Sequence, residues 1–375
     1  MKQSIYYFAA LGGGTEEIMA DTAKNVYIVL EDGHIFSGKR FGAEGDVCGE
    51  LVFTTGMGGY IETITDPSYY GQIVVQTFPL IGNYGMISQD KESEKPALFG
   101  YVVRDLCDAP SNFRTETDLD TYLKDCGVVG VCGVDTREIT KIIRESGVMN
   151  AKIVSEIPPD LSELKEYAVR RAVESVSCGE SYVVEPSGEK KHSVALLDLG
   201  AKRNIIRELT NRGCSVTVLP HTVAAEELCG YDGVMLSNGP GDPAENTEVI
   251  ETIKQILGKT PVFGICLGHQ LLALANGAKT EKLKYGHRGA NQPVKDTKTN
   301  RVYISSQNHG YAVVSKTLPE YARESYINAN DFTCEGVDYD SLGAFSVQFH
   351  PEACSGPKDT NFLFDRFISM LGGSR

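Results

Sequence analysis

One cysteine of this chain stands where a predicted buried strand turns into a predicted helix, within the segment GICLG at 264–268. This pattern is typical of the strained elbow that presents a nucleophile, here with Cys266 where serine is more usual. Gly264 and Gly268 leave room for the turn, and the amides at the helix start favour thiolate over thiol. Most cysteines in proteins are simply buried apolar residues, but the elbow favours a nucleophilic role here.

A candidate base lies near the end of the chain, where His350 is followed by Pro351 and Glu352. Proline disfavours the helical conformation of the residue before it, and in an extended chain positions i and i+2 face the same side. We therefore expect Glu352 to accept the Nδ1 proton of His350, which leaves Nε2 for the thiol. A His-Pro-Glu sequence by itself more often marks a strand end beside a solvated glutamate, so this interpretation depends on the elbow.

Two polar segments are candidates for the surroundings of a substrate. The segment LSNGPGDP at 236–243 follows a predicted strand, and the amides of Gly241 and Leu267 could bind the oxyanion of an acyl-transfer intermediate. The segment QNHGY at 307–311 is predicted to be a polar turn between two strands, with donors and acceptors for the charged α-groups of an amino acid. Either segment alone also fits an ordinary turn.

The elements that must position these residues form a regular series after residue 193. Buried strands alternate with helices and short connections, which predicts a parallel sheet covered on both faces, with functional residues at the carboxyl ends of its strands. The strands are predicted in HSVALLDLG, SVTVLP, GVMLSNG and PVFGIC, and the helices in AKRNIIRELTNRG, around 224–229, in TEVIETIKQIL and in HQLLALANG.

The residues before this series have a different pattern. Short apolar runs alternate with Gly, Asp and Pro from Val26 onward, and helices are predicted at 117–126 and 135–145, which indicates a mixed α/β domain. The predicted organisation is an extension at 1–24, a mixed domain at 25–177, a polar linker at 178–192 and an α/β domain with a doubly wound, mostly parallel sheet at 193–375.

Composition excludes several classes of protein. The 375 residues include 36 Lys and Arg against 50 Asp and Glu, a formal charge of −14 that argues against nucleic-acid binding. The sequence contains no run of 18 or more apolar residues, so it predicts no membrane-spanning helix. The ten cysteines show no CxxC or zinc-finger spacing, so we expect no metal site and a reducing, cytoplasmic location.

Taken together, GICLGHQ, LSNGPGDP, QNHGY and FHPE resemble the motifs of class I (triad) glutamine amidotransferases, in the same order along the chain. The upstream segments GDVCGELVF, GYIE, TDPSYYGQI, IGNYG and GVDTR resemble the N-terminal domain of the carbamoyl phosphate synthetase small subunit. The resemblance therefore covers nearly the whole chain from about Val26. Asp46 departs from the pattern, because the family usually has serine there.

The resemblance implies a role for each matching residue. Cys266 is then the nucleophile, His350 the acid and base, and Glu352 its partner. The residues implied to bind L-glutamine are Gly239, Gly241, Leu267, Gln270, Asn308, Gly310 and Tyr311. The chain has no GxxxxGK[ST] phosphate loop. The family implies that ATP and magnesium are bound by a large subunit, which uses the ammonia to make carbamoyl phosphate for arginine and pyrimidine synthesis.

Three other functions compete with this one. An amidotransferase of the anthranilate or GMP synthetase type would share the triad but would lack a domain like that at 26–150. A cysteine peptidase or γ-glutamyl hydrolase would need no partner subunit. A scaffold without activity would be expected to have lost a triad member, whereas Cys266, His350 and Glu352 are all present.

Overall fold

The computed structural model describes residues 25–371. The predicted extension at 1–24 lies outside the described residues, as do residues 372–375. The described chain builds two large sheets, one closed into a barrel and one open. None of the helices within residues 25–371 is long and apolar enough to cross a membrane.

The first part of the chain builds the barrel. Its strands are β1 (Asn25–Leu30), β2 (Ile35–Gly42), β3 (Val47–Thr54), β4 (Gln72–Gln76), β5 (Leu80–Ile81), β6 (Gly100–Val102), β7 (Asp105–Leu106), β8 (Val129–Cys132) and β9 (Met149–Val154). Its helices are α1 (Tyr60–Thr65), α2 (Leu119–Cys126) and α3 (Thr136–Ser146). Seven strands close in the order β1-β2-β8-β6-β4-β3-β9, and β5 and β7 form a separate pair. The predicted mixed α/β character is confirmed.

Both helices predicted in this part are present, as α2 and α3. The side chain of Asp118 accepts from the amide of Thr121, and that of Asp135 accepts from the amide of Glu138. These N-caps satisfy donors that a helix start leaves without partners. α2 ends at Gly127 in a left-handed conformation, which glycine adopts without strain.

After β9 the chain forms two short helices and then the open sheet. These helices are α4 (Ser162–Glu166) and α5 (Ala172–Val176). The strands of the sheet are β10 (Tyr182–Val184), β11 (His192–Asp198), β12 (Cys214–Pro220), β13 (Gly233–Leu236), β14 (Val262–Ile265), β15 (Thr280–Asp296), β16 (Val302–Val313), β17 (Arg323–Asn328), β18 (Cys334–Tyr339) and β19 (Ala344–Val347). The remaining helices are α6 (Arg203–Thr210), α7 (Ala225–Leu228), α8 (Thr247–Ile256), α9 (Leu267–Ala275) and α10 (Phe362–Leu371).

The sheet has a parallel centre and antiparallel edges. Strands β12, β11, β13, β14 and β19 run parallel to their neighbours, whereas β10 and the β18-β16-β15-β17 extension pair antiparallel. Along β11, Ala195 and Leu197 pack in one core with α8 and α9, while Val194 and Leu196 pack in another with α6 and α10. Helices therefore cover both faces, and the predicted doubly wound sheet is confirmed.

Two segments differ from the sequence prediction. The segment 178–192, expected to be a linker, contains β10, which pairs with β12 at the sheet edge. The segment 307–311, expected to be a turn, lies inside the single strand β16, which pairs with β15 through register shifts on either side of the Arg288–Asn308 pair. In both cases backbone hydrogen bonds to a distant strand decide the conformation, and local composition does not reveal that partner.

Candidate active site

Cys266 occupies the sharp turn between β14 and α9. Its φ of 53° and ψ of −102° form a conformation that side-chain-bearing residues rarely adopt and that stores strain. A Cβ on Gly264 would lie 2.7 Å from the carbonyl oxygen of Gly268, and one on Gly268 would collide with the carbonyl oxygen of Leu236. The turn therefore requires glycine on both sides of Cys266.

The thiol is enclosed but not sealed into the core. Cys266 is 2% exposed, yet it lines a cavity of about 400 Å³. Its Sγ lies 3.7 Å from the carbonyl oxygen of Asn308, and the cysteine is not in a disulfide. A small ligand in the cavity can therefore meet the sulfur.

His350 follows β19 and is anchored by its amide, which donates to the carbonyl oxygen of Ser306. Its Nδ1 lies 2.7 Å from Oε1 of Glu352, whereas its buried Nε2 has no hydrogen-bond partner in the part of the chain that the structure describes. The two side chains meet through a turn, closed at 3.2 Å by the amide of Ala353 and the carbonyl oxygen of His350. His350 is extended as expected, since it forms an isolated bridge with Ser306, but Pro351 and Glu352 form a turn, and this turn pairs the two side chains.

The electrostatics of this group favour a protonated imidazole. Burial and Lys202 lower the pKa of His350, but Glu352 and the Cys266 thiol outweigh them and raise it to about 9. Burial tends to raise the pKa of Glu352, but His350 and Lys202 reverse this and hold it below its usual range. The raised pKa of His350 therefore favours an imidazolium at neutral pH.

A buried lysine connects this group to the barrel. Nζ of Lys202 lies 3.6 Å from Oε1 of Glu352 and 3.3 Å from Oδ2 of Asp66, which follows α1. Burial disfavours its charge, but Asp66, Glu352 and Glu92 raise the pKa of Lys202 and keep it protonated. Oδ2 of Asp66 also accepts from Nδ2 of Asn308 at 3.1 Å. Sequence analysis assigned no role to Lys202 or Asp66, because neither carries a local signal of this contact.

The loop after β13 forms one wall of the cavity. A Cβ on Gly239 would collide with the carbonyl oxygen of Leu199, and Gly241 has a φ of 87°, so both positions favour glycine. The amides of Gly241 and Leu267 have no acceptor among the described residues. Two such free amides beside a nucleophile are what an oxyanion hole requires.

Ser68 is a wall residue that sequence analysis did not select. It lines the cavity, its hydroxyl accepts from Nδ2 of Asn238 at 2.9 Å, and its amide donates to Oδ1 of Asp66. The available signal was the polar run TDPSY at 65–69, in which an aspartate precedes a short turn. Ser68 therefore brings a hydroxyl from the barrel to the cavity of the open sheet.

Most of the predicted binding residues surround this one cavity. Gln270 is fixed there, because its Nε2 donates to the carbonyl oxygen of Tyr311 and to Oε1 of Gln348. Leu267, His350 and Glu352 do not line the wall. The predicted binding residues that line it are Gly239, Gly241, Gln270, Asn308, Gly310 and Tyr311.

Asp46, which departs from the family pattern, lies outside the cavity wall. Its Oδ1 accepts from the amide of Ser155 at 3.0 Å and lies 3.7 Å from Nη2 of Arg40. Its contacts are therefore with the barrel surface.

One group of described residues has the composition of a metal site. Ligand atoms of His287, His309 and Glu335 lie within 4.8 Å of one another. However, Nε2 of His287 lies 2.8 Å from Asp331 and Nδ1 lies 3.5 Å from Glu335. These carboxylates outweigh burial and raise the pKa of His287 to about 9. Both ring nitrogens of His287 thus face carboxylates, and we interpret the group as an ion-pair network.

Comparisons with known proteins cover both parts of the chain. Residues 195–370 match the family model "Glutamine amidotransferase class-I", and residues 28–153 match "Carbamoyl-phosphate synthase small chain, CPSase domain". The carbamoyl phosphate synthase small chain of Clostridium perfringens (strain 13 / Type A) is 51% identical over 346 residues, which cover 91% of this chain and 98% of the relative. The carbamoyl phosphate synthase small chain of Listeria monocytogenes serotype 4b (strain F2365) is 49% identical over 354 residues, which cover 92% of this chain and 96% of the relative.

The chain belongs to the carbamoyl phosphate synthase small chain family. Membership confirms the resemblance noted in the sequence. It also decides against the anthranilate and GMP synthetase types, because the match at 28–153 is specific to the small chain. The Clostridium perfringens relative is matched over 98% of its length, so both parts of this chain have counterparts in it.

Proposed function

We propose that this chain is the glutaminase subunit of a glutamine-hydrolysing carbamoyl phosphate synthase. The observation that carries the proposal is the position of Cys266, on a strained elbow beside a histidine whose Nδ1 is held by Glu352, with its sulfur open to a cavity. These are the nucleophile, base and orienting acid of amide hydrolysis through a covalent intermediate. L-Glutamine is the substrate that the family membership supports.

In the first half-reaction the Cys266 thiolate attacks the side-chain amide carbon of glutamine. The amides of Gly241 and Leu267 bind the oxyanion, and the loss of one such donor typically costs about 2.7–4 kcal/mol of barrier. The His350 imidazolium donates its Nε2 proton to the amide nitrogen. The C–N bond then breaks, ammonia leaves, and a γ-glutamyl thioester and a neutral imidazole remain.

In the second half-reaction the neutral imidazole takes a proton from water, and the resulting hydroxide adds to the thioester carbonyl. Collapse of this intermediate expels the Cys266 thiolate and yields glutamate. The imidazolium is restored, so the cycle converts glutamine and water to glutamate and ammonia. Glu352 keeps the ring in one orientation through both transfers, and Nζ of Lys202 lies 3.6 Å from the same Oε1 that pairs with His350.

The partner proposed for this chain is the large subunit of the synthase, in a heterodimeric unit. That subunit would bind ATP and magnesium and would combine the ammonia with bicarbonate to form carbamoyl phosphate for arginine and pyrimidine synthesis. The sequence supports this division, because it carries no phosphate-binding loop of the GxxxxGK[ST] type. The ten free cysteines support a reducing, cytoplasmic location.

The test is a Cys266→Ala variant assembled with the large subunit. Glutamine-dependent carbamoyl phosphate synthesis should be lost, whereas synthesis from added ammonia should continue, because only the thioester step is removed. Cys354→Ala, at an exposed cysteine, is the matched control and should retain both activities. If Cys266→Ala retained glutamine-dependent synthesis, or if no large subunit copurified with the chain, the proposal would be wrong.

A further inference from the structure

Arg288 is a buried cation in the wall of the cavity that holds Cys266. It lies on β15, opposite Asn308 on β16, and the residue is only 6% exposed. Gly286 leaves room for its guanidinium, since a Cβ there would lie 2.6 Å from Nη1, whereas a Cβ on Gly310 would be in ordinary contact with Nη2 at 3.5 Å. The backbone around the cavity therefore accommodates a guanidinium at this wall.

The charge of Arg288 is not neutralised by the protein. Nη1 donates to the carbonyl oxygen of Tyr285 at 2.7 Å, while the buried Nε has no partner, and no carboxylate of residues 25–371 forms an ion pair with this arginine. Glu50 is close enough to influence it, but Lys282 at 2.6 Å and Gln72 at 2.8 Å already occupy both oxygens of that carboxylate. A buried cation without a counterion is costly, so this site favours an anionic ligand.

The cavity has acidic groups as well. Asp242 and Glu245 also line it, and the hydroxyl of Tyr311 bonds to Asp242. A zwitterionic amino acid carries one group of each sign at its α-carbon. Its ammonium can face these carboxylates while its carboxylate faces the guanidinium, which offers planar, paired donors to a carboxylate.

We propose that Arg288 binds the α-carboxylate of the substrate and thereby restricts the site to free amino acids over α-amides and peptides. This inference rests on the proposed function, since it assigns a position to glutamine in the same cavity. The α-carboxylate is remote from the amide carbon that reacts, so Arg288 contributes binding that is present before and during the reaction. Its loss should therefore raise KM with little change in kcat.

The experiment compares two substrates on three forms of the assembled enzyme. L-Glutamine and L-glutaminamide both release ammonia from the side chain, but only glutamine has an α-carboxylate. We expect Arg288→Met to lower kcat/KM for glutamine about 10- to 100-fold through KM, with an effect below about threefold on glutaminamide. Arg288→Lys keeps the charge without the paired donors, and it should restore part of the preference for glutamine.

The control is Arg104→Met, since Arg104 is an exposed arginine of the barrel that lies 3.9 Å from Asp105 and does not line this cavity. This variant should change kcat/KM for either glutamine or glutaminamide by no more than about twofold. Synthesis from added ammonia verifies that each variant folds and assembles. Equal losses for both substrates in Arg288→Met, or in Arg288→Lys if the former does not fold, would show a structural role and overturn the inference. Failure of the proposed function would be seen separately, as a wild-type enzyme that does not hydrolyse glutamine.

Discussion

Two buried histidines of this chain, His350 and His287, both lie beside carboxylates but differ in what their second ring nitrogen contacts. His350 lies beside Glu352, and His287 lies between Asp331 and Glu335. Glu352 and the Cys266 thiol outweigh burial at His350, two carboxylates do so at His287, and the pKa of each imidazole is raised to about 9.

The difference is in the second ring nitrogen. Both nitrogens of His287 face carboxylates. In His350 only Nδ1 faces a carboxylate, and Nε2 has no hydrogen-bond partner among the described residues. The Cys266 thiol is close enough to raise the pKa of His350. The pKa therefore does not distinguish a catalytic histidine from a structural one here. The neighbouring nucleophile does.

The largest expected effect separates the two histidines by rate. His350→Asn removes the proton donor and acceptor, so kcat for glutamine hydrolysis should fall at least about 10³-fold while glutamine still binds. His287→Asn, the matched substitution, should keep kcat within about fivefold. Steady-state ammonia release by the assembled enzyme measures both. A His350→Asn rate near that of the wild type would reject its role as base.

A second effect separates them by stability. His287→Asn removes the cationic partner of the buried Glu335, whose pKa burial raises despite His287, so the cost should lie near the lower end of the about 3–5 kcal/mol typical of a broken buried pair. Denaturant unfolding monitored by circular dichroism gives this difference. Lys141→Met, which breaks a surface pair with Glu138, is the control and should change stability by less than about 1 kcal/mol. Equal losses in the two variants would contradict the ion-pair interpretation.

The smallest effect is in the pH dependence of that stability. Because folding raises the pKa of His287, the folded chain holds its proton more tightly, and the resulting stability is complete below the unfolded value of about 6.5. It is lost as the pH rises through about 9. The stability difference between wild type and His287→Asn should therefore shrink between about pH 6.5 and 9. If the stability difference between wild type and His287→Asn grew over this pH interval, the raised pKa of His287 would be contradicted.

The sequence was sufficient for the parts of the site that local geometry determines. The elbow around Cys266 needs glycine two residues away on each side, and the five-residue segment GICLG shows this pattern directly. The doubly wound sheet was likewise visible, because buried strands and amphipathic helices alternate along the chain. Such features depend on neighbours in sequence, and pattern analysis detects them well.

The parts that depend on distant contacts were not visible. Asp66 and Ser68 reach the site from the barrel, and Arg288 reaches it from an antiparallel strand. The roles of Asp66 and Ser68 arise only once the two sheets are assembled against each other, and that of Arg288 once β15 and β16 pair within the open sheet. The segment around Asn308 was expected to be a turn for the same reason, since its pairing with β15 keeps it extended.

The central claim is that the sulfur of Cys266 forms a covalent bond to the substrate. The most direct measurement is mass spectrometry of peptides from acid-quenched enzyme that has been mixed with L-glutamine, in wild type and in His350→Asn. The account predicts a γ-glutamyl group on the peptide that contains Cys266, and none on that peptide in Cys266→Ala. An adduct on a different cysteine, or hydrolysis without any adduct in either form, would contradict it.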